Sequence, residues 1–398
     1  MSPRSIVGRI LVVASAIGIA LLAPLTSTVT TRLSVAPAQA VIGSASTADF
    51  SSDVIYQIVT DRFNDGNAGN NNPTNSSGLY SADKSNWRYY FGGDWDGITA
   101  KIPYLANMGI TAIWISPGVF NVNVPVPIGG SNHSGYHGFW GMDFFVPEPH
   151  FGTWADFDEL IAAAHSNGIK VVLDFAPNHS SPTLESDPNY AVDGKLLRNG
   201  TEVTRYHNDT AGYFHHNGDI SNWDDLYEVQ YKSMVGLADL KQESSPGHTY
   251  MRDAIVTWLN HGVDGIRMDA VKLMPLGWQR TYTDHIYANR SVFVFGEWFD
   301  TSSSPLWPDV KKFANTSGMS LLNFDLNAAI RNAFMGGSMV DLDAAVQRSD
   351  TAFTWQNQQV NFVDNHDLTR FLSEHNNTAR LDQAQVFVLT ARGVPTIY

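Results

Sequence analysis

The chain has 398 residues, 43% of them apolar and 16% charged, so it is too long for one small module and too apolar to remain disordered. Its 25 Lys and Arg against 39 Asp and Glu leave a net charge of −14, which argues against nucleic acid as a partner and favours neutral ligands or cations. The absence of cysteine excludes disulfide scaffolds, thiolate metal sites and cysteine nucleophiles.

Arg4 and Arg9 precede an apolar run from Ile10 to Ala23, and Ala38-Gln39-Ala40 has the small-x-small form of a signal peptidase site. The run is shorter than the roughly 20 residues a membrane-spanning helix requires. Residues 1–40 therefore read as a secretory signal, with an uncleaved amphipathic anchor as the alternative. Cleavage removes Arg4, Arg9 and Arg32 and no acid, taking the net charge from −14 to −17. The expectation is an extracellular monomer that is not held at a membrane once the signal is cut.

Val54–Thr60 reads as a strand, and Trp95–Met108 as a helix with apolar residues at 98, 102, 105 and 108. Thr111–Ser116 is a short β-branched apolar run, hence a buried strand. Thr153–Asn167 reads as a helix capped by Thr153 and stopped by Gly168, and Lys170–Ala176 as another buried strand. Apolar strands alternating with amphipathic helices predict a parallel sheet covered on both faces.

From Pro177 to about Gly247 the chain is polar and irregular, long enough for a small inserted domain at 178–247. The alternation resumes with a helix at His248–His261. Strands follow at Gly265–Val271, Val292–Trp298, Met319–Phe324, Gln359–Asn365 and Val394–Tyr398. Eight strand-helix units predict a (β/α)8 TIM barrel, with residues 41–177 and 248–398 as its two parts and its active site at the C-terminal strand ends. The sequence stops at Tyr398 within the eighth strand, so the barrel reads as C-terminally incomplete.

Asp269, Glu297 and Asp367 fall at or after predicted strand ends, where loops of one barrel face converge. Glycoside hydrolysis needs two carboxyl groups flanking an oxocarbenium-like centre, one ionised and one protonated. Arg267 lies two residues before Asp269 on one strand, so both point the same way and the guanidinium favours the Asp269 anion. Glu297 emerges between Phe295 and Trp298, where apolar packing favours its protonated form. The alternative is that these acids are loop solubilisers or helix caps. His137, His179 and His366 follow strands and would donate hydrogen bonds to sugar hydroxyls; a zinc site lacks a close ligand pair.

Asp65-Gly-Asn67-Ala-Gly-Asn-Asn71-Asn72-Pro, with Gly92-Gly93-Asp94, gathers oxygen ligands around glycine turns. That chemistry suits calcium, unless the stretch is an ordinary Asn/Gly turn.

The segments DFAPNH (174–179), GIRMDAVK (265–272), FGEW (295–298) and FVDNHD (362–367) resemble the four ordered signature regions of the α-amylase family of glycoside hydrolases. The likeness covers about Asp53 to Tyr398. VIYQIVTDRFNDGN, FGGDWDGI and DAVKLMPLGWQ are most similar to cyclodextrin glucanotransferases and the bacterial α-amylases nearest them. The resemblance implies Asp269 as nucleophile, Glu297 as general acid/base and Asp367 as the carboxylate that stabilises the transition state. It implies His137, Phe139, Trp140, His179, Arg267, Lys272 and His366 as substrate-binding groups. For calcium it implies one site from Asp65, Asn67, Asn71, Asn72, Gly92 and Asp94. A second would be formed by Asn178, Asp239 and the backbone oxygens near Gln230 and Leu273.

Three positions depart from the family pattern. Leu273 stands where histidine is usual on the acceptor side, and Phe139 where a tyrosine platform is usual. Val235 stands at the position of the central aromatic around which cyclodextrin-forming enzymes curl the glucan, which predicts poor cyclisation. The resulting expectation is a secreted, calcium-dependent, retaining α-amylase acting on starch and maltooligosaccharides. A transglycosylase of the glucanotransferase type, or a glucan-binding member without catalysis, remains the alternative.

Overall fold

The structure, a computed structural model, describes residues 46–398, so the secretory segment read at residues 1–40 lies outside it. Eight parallel strands build the centre: β1 (Ile55–Ile58), β2 (Ala112–Ile115), β3 (Lys170–Phe175), β4 (Gly265–Met268), β5 (Phe293–Gly296), β6 (Ser320–Leu321), β7 (Val360–Phe362) and β8 (Val394–Ile397). They follow one another as β6-β5-β4-β3-β2-β1-β8-β7. The ring closes where Leu322 bridges Val360 and the Asn323 N–H donates to the Val360 carbonyl at 2.9 Å. This is the (β/α)8 barrel that the sequence predicts.

Two-residue alternation explains why the strands read as unbroken apolar runs. Ile55, Ala112, Val172, Phe293, Val360 and Val394 fill the barrel interior. Their neighbours Ile113, Ile115, Val171, Leu173, Ile266 and Met268 pack outward among helix residues such as Ile98, Leu105, Phe157 and Ile255. Toward the C-terminal strand ends the inward positions turn polar. In register, Arg267 on β4 sits beside Asp174 on β3 and Phe295 on β5. The fold thus delivers a buried cation and its first counter-ion to the barrel mouth.

Several elements are shorter than the sequence predicts. β1 ends at Ile58 because a helical turn begins at Thr60. β4 ends at Met268 because Ala270 takes a left-handed conformation with φ 53°. One helix is longer at its start: Ser245–Asn260 begins three residues before His248, with the Ser244 hydroxyl accepting from the Gly247 N–H.

Residues between β3 and that helix form an accessory region. Its two ends meet where His179–Pro182 pairs antiparallel with Leu237–Asp239. A four-stranded sheet at its side joins Thr201–Thr204 and Leu196–Arg198 to Gly141–Pro147 and Val119–Asn121, strands of the β2–β3 connection that sequence alone leaves unassigned.

Candidate active site

Asp269 and Glu297 are the first residues beyond β4 and β5. Their backbone N–H groups still donate across the ladder, to Phe175 O at 2.9 Å and Met268 O at 3.0 Å, which fixes both at the mouth. The left-handed turn at Ala270 directs its N–H to Glu297 Oε2 at 3.4 Å.

Arg267 lies beneath them with no exposed surface. Its Nη1 donates to Asp269 Oδ1 at 2.6 Å and to both oxygens of Asp174 at 2.8 and 3.0 Å. Its Nη2 stands 2.9 Å from Glu297 Oε1 as an ion pair without hydrogen-bond alignment. Asp174 also accepts from the Trp114 indole at 3.0 Å. One guanidinium therefore serves three carboxyl groups in a largely dry site, and they cannot all ionise without cost. Burial pushes the Glu297 pKa up to about 8, helped by the charges of Asp269 and Asp367 and opposed by Arg267. Asp174 is raised by burial in the same way.

Phe139 is sandwiched between two imidazoles, with His137 at 5.8 Å and 19° and His366 at 5.4 Å and 3°. Burial lowers the pKa of all three site histidines, that of His137 to about 3. Neutral rings have one donor each, and their partners show where it sits. His137 Nδ1 accepts from the Phe139 N–H at 3.1 Å, leaving the proton on Nε2. His366 Nδ1 faces the Gln57 amide at 2.6 Å, so its Nε2 carries the proton, 3.3 Å from Asp367 Oδ2. His179 differs from the sequence expectation of a sugar donor. Its Nε2 donates to the Phe139 carbonyl at 3.0 Å and its Nδ1 meets the Asn178 amide at 3.3 Å, so both ring nitrogens are engaged within the protein.

The cleft above these groups has a volume of about 750 Å³. Asp269, Glu297, Asp367, His137, Phe139, His179, His366, Lys272 and Leu273 all line it. Trp140 is not part of its wall: that ring packs edge-on against His137 at 4.6 Å, and its N–H donates to Asn121 Oδ1 at 2.8 Å. Lys272 is ion-paired with Asp300 at 2.9 Å.

Sequence reasoning missed Gln57, Trp114 and Asp174, which support the site from inward strand positions; alternation along β1, β2 and β3 could have found them. It also missed Tyr136, Trp223, Met234 and Phe299 in the cleft wall, for which no local signal exists.

Residues 57–398 match the family described as the α-amylase catalytic domain. The chain belongs to that family. It is 48% identical over 371 residues to a cyclomaltodextrin glucanotransferase of Niallia circulans, covering 91% of this chain and 51% of that protein. It is 46% identical over 376 residues to an α-amylase of the same organism, covering 92% and 70%. Its fold is similar to the crystal structure of a cyclomaltodextrin glucanotransferase with a three-domain ABC distribution. There the TM-score is 0.85 and the identity 45%, over 87% of this chain and 71% of the other. The chain spans about half the length of the glucanotransferase relative.

In this α-amylase-family chain, no group of three or more His, Asp or Glu that could hold a metal occurs among the described residues. A calcium ion would therefore depend on amide and backbone oxygens, and buried oxygens without partners are the test. In the first loop these are Asn70 Oδ1 and Asn71 Oδ1. Asn71 lies against Gly92, where an added Cβ would come within 2.6 Å of that oxygen, and its amide donates to Asp65 at 2.8 Å. Asn72 fits less well than the sequence suggests, because its Oδ1 accepts from the Gly78 N–H at 2.8 Å. Asn67 Oδ1 accepts from Gly69 at 3.0 Å, and Asp94 caps the Trp95–Asn107 helix while accepting from Gly66 and Asn67. In the second place, Asn178 Oδ1 is buried without a partner, beside the strand that carries Asp239. Asp239 is buried and 2.7 Å from His215 Nδ1, and burial raises its pKa to about 7. Gln230 is half-buried and Leu273 buried. Both places offer hard oxygens that suit calcium.

Proposed function

We propose that this chain carries the catalytic barrel of a secreted, monomeric, retaining enzyme that hydrolyses α-1,4-glucosidic bonds of starch and maltooligosaccharides. Asp269 attacks C1 of the bound sugar while Glu297 gives its proton to the departing glycosidic oxygen. The bond from C1 to that oxygen breaks, and a glucosyl ester forms on Asp269. Water then attacks C1, its proton passes to the Glu297 carboxylate, and the ester bond returns its electrons to Asp269. Asp367, the most exposed of the three acids at 46%, is free to hold ring hydroxyls, with the neutral Nε2–H groups of His137 and His366 as donors and the Phe139 face as platform.

One observation carries this reading: a single buried guanidinium hydrogen-bonds Asp269 but only ion-pairs with Glu297, whose proton burial retains. Two carboxyl groups touching one guanidinium stand side by side, an arrangement in which the ionised one can act as nucleophile. Calcium is proposed for the loop of Asp65, Asn70 and Asn71 and for the Asn178–Asp239 junction, where it would tie the accessory region to the barrel.

Transfer to a sugar acceptor is the second reading, supported by the 48% identity to a glucanotransferase. Chromatography of products from soluble starch separates the two. Linear maltooligosaccharides with new reducing ends are expected; dominant cyclodextrins or disproportionated oligomers without new reducing ends would replace hydrolysis with transfer.

A further inference from the structure

The two sides of the cleft differ in chemistry. Against the Phe139–histidine stack and Asp367 stands a second wall made by Trp223, Met234, Leu237, Leu273 and Phe299. That wall is anchored: Leu273, Val229 and Ala270 form an apolar cluster on which Met234, Leu226 and Ile220 pack. At its outer edge Trp223 and Phe299 are 43% and 56% exposed, large rings without cover, and Phe299 is backed by Phe324 at 4.4 Å. The cation nearby does not make it polar, because Lys272 is paired with Asp300, which also holds the Trp298 indole at 2.7 Å.

A sugar unit entering such a wall loses water from its hydroxyls and finds few donors or acceptors in exchange. An apolar group loses only ordered water and gains ring contact. We propose that the enzyme also transfers glucosyl units to acceptors carrying an apolar aglycone, such as aryl or alkyl glucosides, and that this wall receives the aglycone. The inference rests on the glucosyl-enzyme reading above. In the transfer step an acceptor hydroxyl oxygen bonds to C1, the bond from C1 to Asp269 breaks and returns its electron pair to the carboxylate, and the hydroxyl proton passes to the ionised Glu297.

The experiment supplies soluble starch as donor and compares phenyl α-glucoside with methyl α-glucoside as acceptor, following acceptor-bearing products by chromatography with mass detection. The phenyl acceptor is expected to show a KM about tenfold lower. The ratio of the two KM values should fall toward one in Leu273→His and in Phe299→Ser; being internal to each variant, it is unaffected by a general loss of activity. Equal KM values in the wild type, or a ratio unchanged in both variants, overturn the proposal. Starch hydrolysed with no transfer product overturns it too and leaves the hydrolytic reading standing. No turnover of starch at all overturns the catalytic reading, and the transfer step with it.

Discussion

Arg267 and Glu297 stand 2.9 Å apart without an aligned hydrogen bond, whereas the same guanidinium hydrogen-bonds Asp269 at 2.6 Å. The cation thus favours the Asp269 anion, and burial keeps Glu297 protonated to about pH 8. Glu297→Gln should lower kcat on soluble starch by about 10²–10⁴-fold while glucan binding persists. Wild-type activity should fall as pH rises through about 8, when the acid is lost. The same shift has a stability consequence. A carboxyl whose folded pKa is raised contributes stability below its unfolded pKa and loses that contribution as pH rises through the folded one. Melting curves at pH 5 and pH 9 should therefore show the variant gaining on the wild type at the higher pH. An alkaline limb of activity below pH 6, or a variant that loses ground at pH 9, contradicts this assignment.

Arg267 should matter for folding as much as for chemistry. Replacing it with methionine keeps much of the volume but strands Asp174, Asp269 and Glu297 around an uncharged side chain. Removing one partner of a buried ion pair costs about 3–5 kcal/mol, readable as a lower urea midpoint. Adding Asp174→Asn to Arg267→Met should recover part of that loss, since one buried carboxyl then needs no counter-charge. A double variant no more stable than the single one would show that the three acids are not in competition.

The barrel was legible because its strands are buried on both faces, so Ala112–Ile115 and Gly265–Met268 read as unbroken apolar runs between helices. Asp269, Glu297, Asp367 and Arg267 were legible for a related reason: an acid or cation that directly follows such a run must sit at the mouth. What lay hidden depends on contacts across the chain. Trp223 and Met234 reach the cleft only because His179–Pro182 and Leu237–Asp239 fold the accessory region back on itself. The engagement of His179 is set by a carbonyl 40 residues away. The choice between Asn70 and Asn72 is made by one backbone donor, that of Gly78, which no spacing rule could supply.

Chelation should reveal whether calcium binds. A ligand that binds only the folded state stabilises it in proportion to the logarithm of its saturation, so EDTA should lower the melting temperature and added calcium restore it. The orphaned oxygens of Asn70 and Asn71 assign the first loop. Asn70→Ala should shrink the calcium-dependent rise, whereas Asn72→Ala should leave that rise intact, having lost only a turn hydrogen bond to Gly78. A melt indifferent to EDTA counts against both proposed sites, and a larger effect from Asn72 than from Asn70 would reverse the ligand choice.

Val235 combines strain with a change in specificity. It is a β-branched residue at φ 45°, followed by Gly236 at φ 75°, and its side chain is 78% exposed. The turn holds because the Leu237 N–H donates to Met234 O at 3.0 Å and the Gly236 N–H to Asp219 at 3.3 Å, so the chain cannot relax without breaking both. A left-handed conformation costs an L-residue about 1–2 kcal/mol, and asparagine tolerates it better. Val235→Asn should therefore stabilise the protein by about 1 kcal/mol, seen as a rise in melting temperature. Val235→Tyr keeps the strained backbone but places a ring beside Met234 and Leu237 in the cleft wall. That ring gives a bound glucan a surface to curl around, so the cyclodextrin share of the products should rise above that of the wild type. If Val235→Asn destabilises, the turn is not strained; if Val235→Tyr leaves the product profile unchanged, position 235 does not touch the glucan.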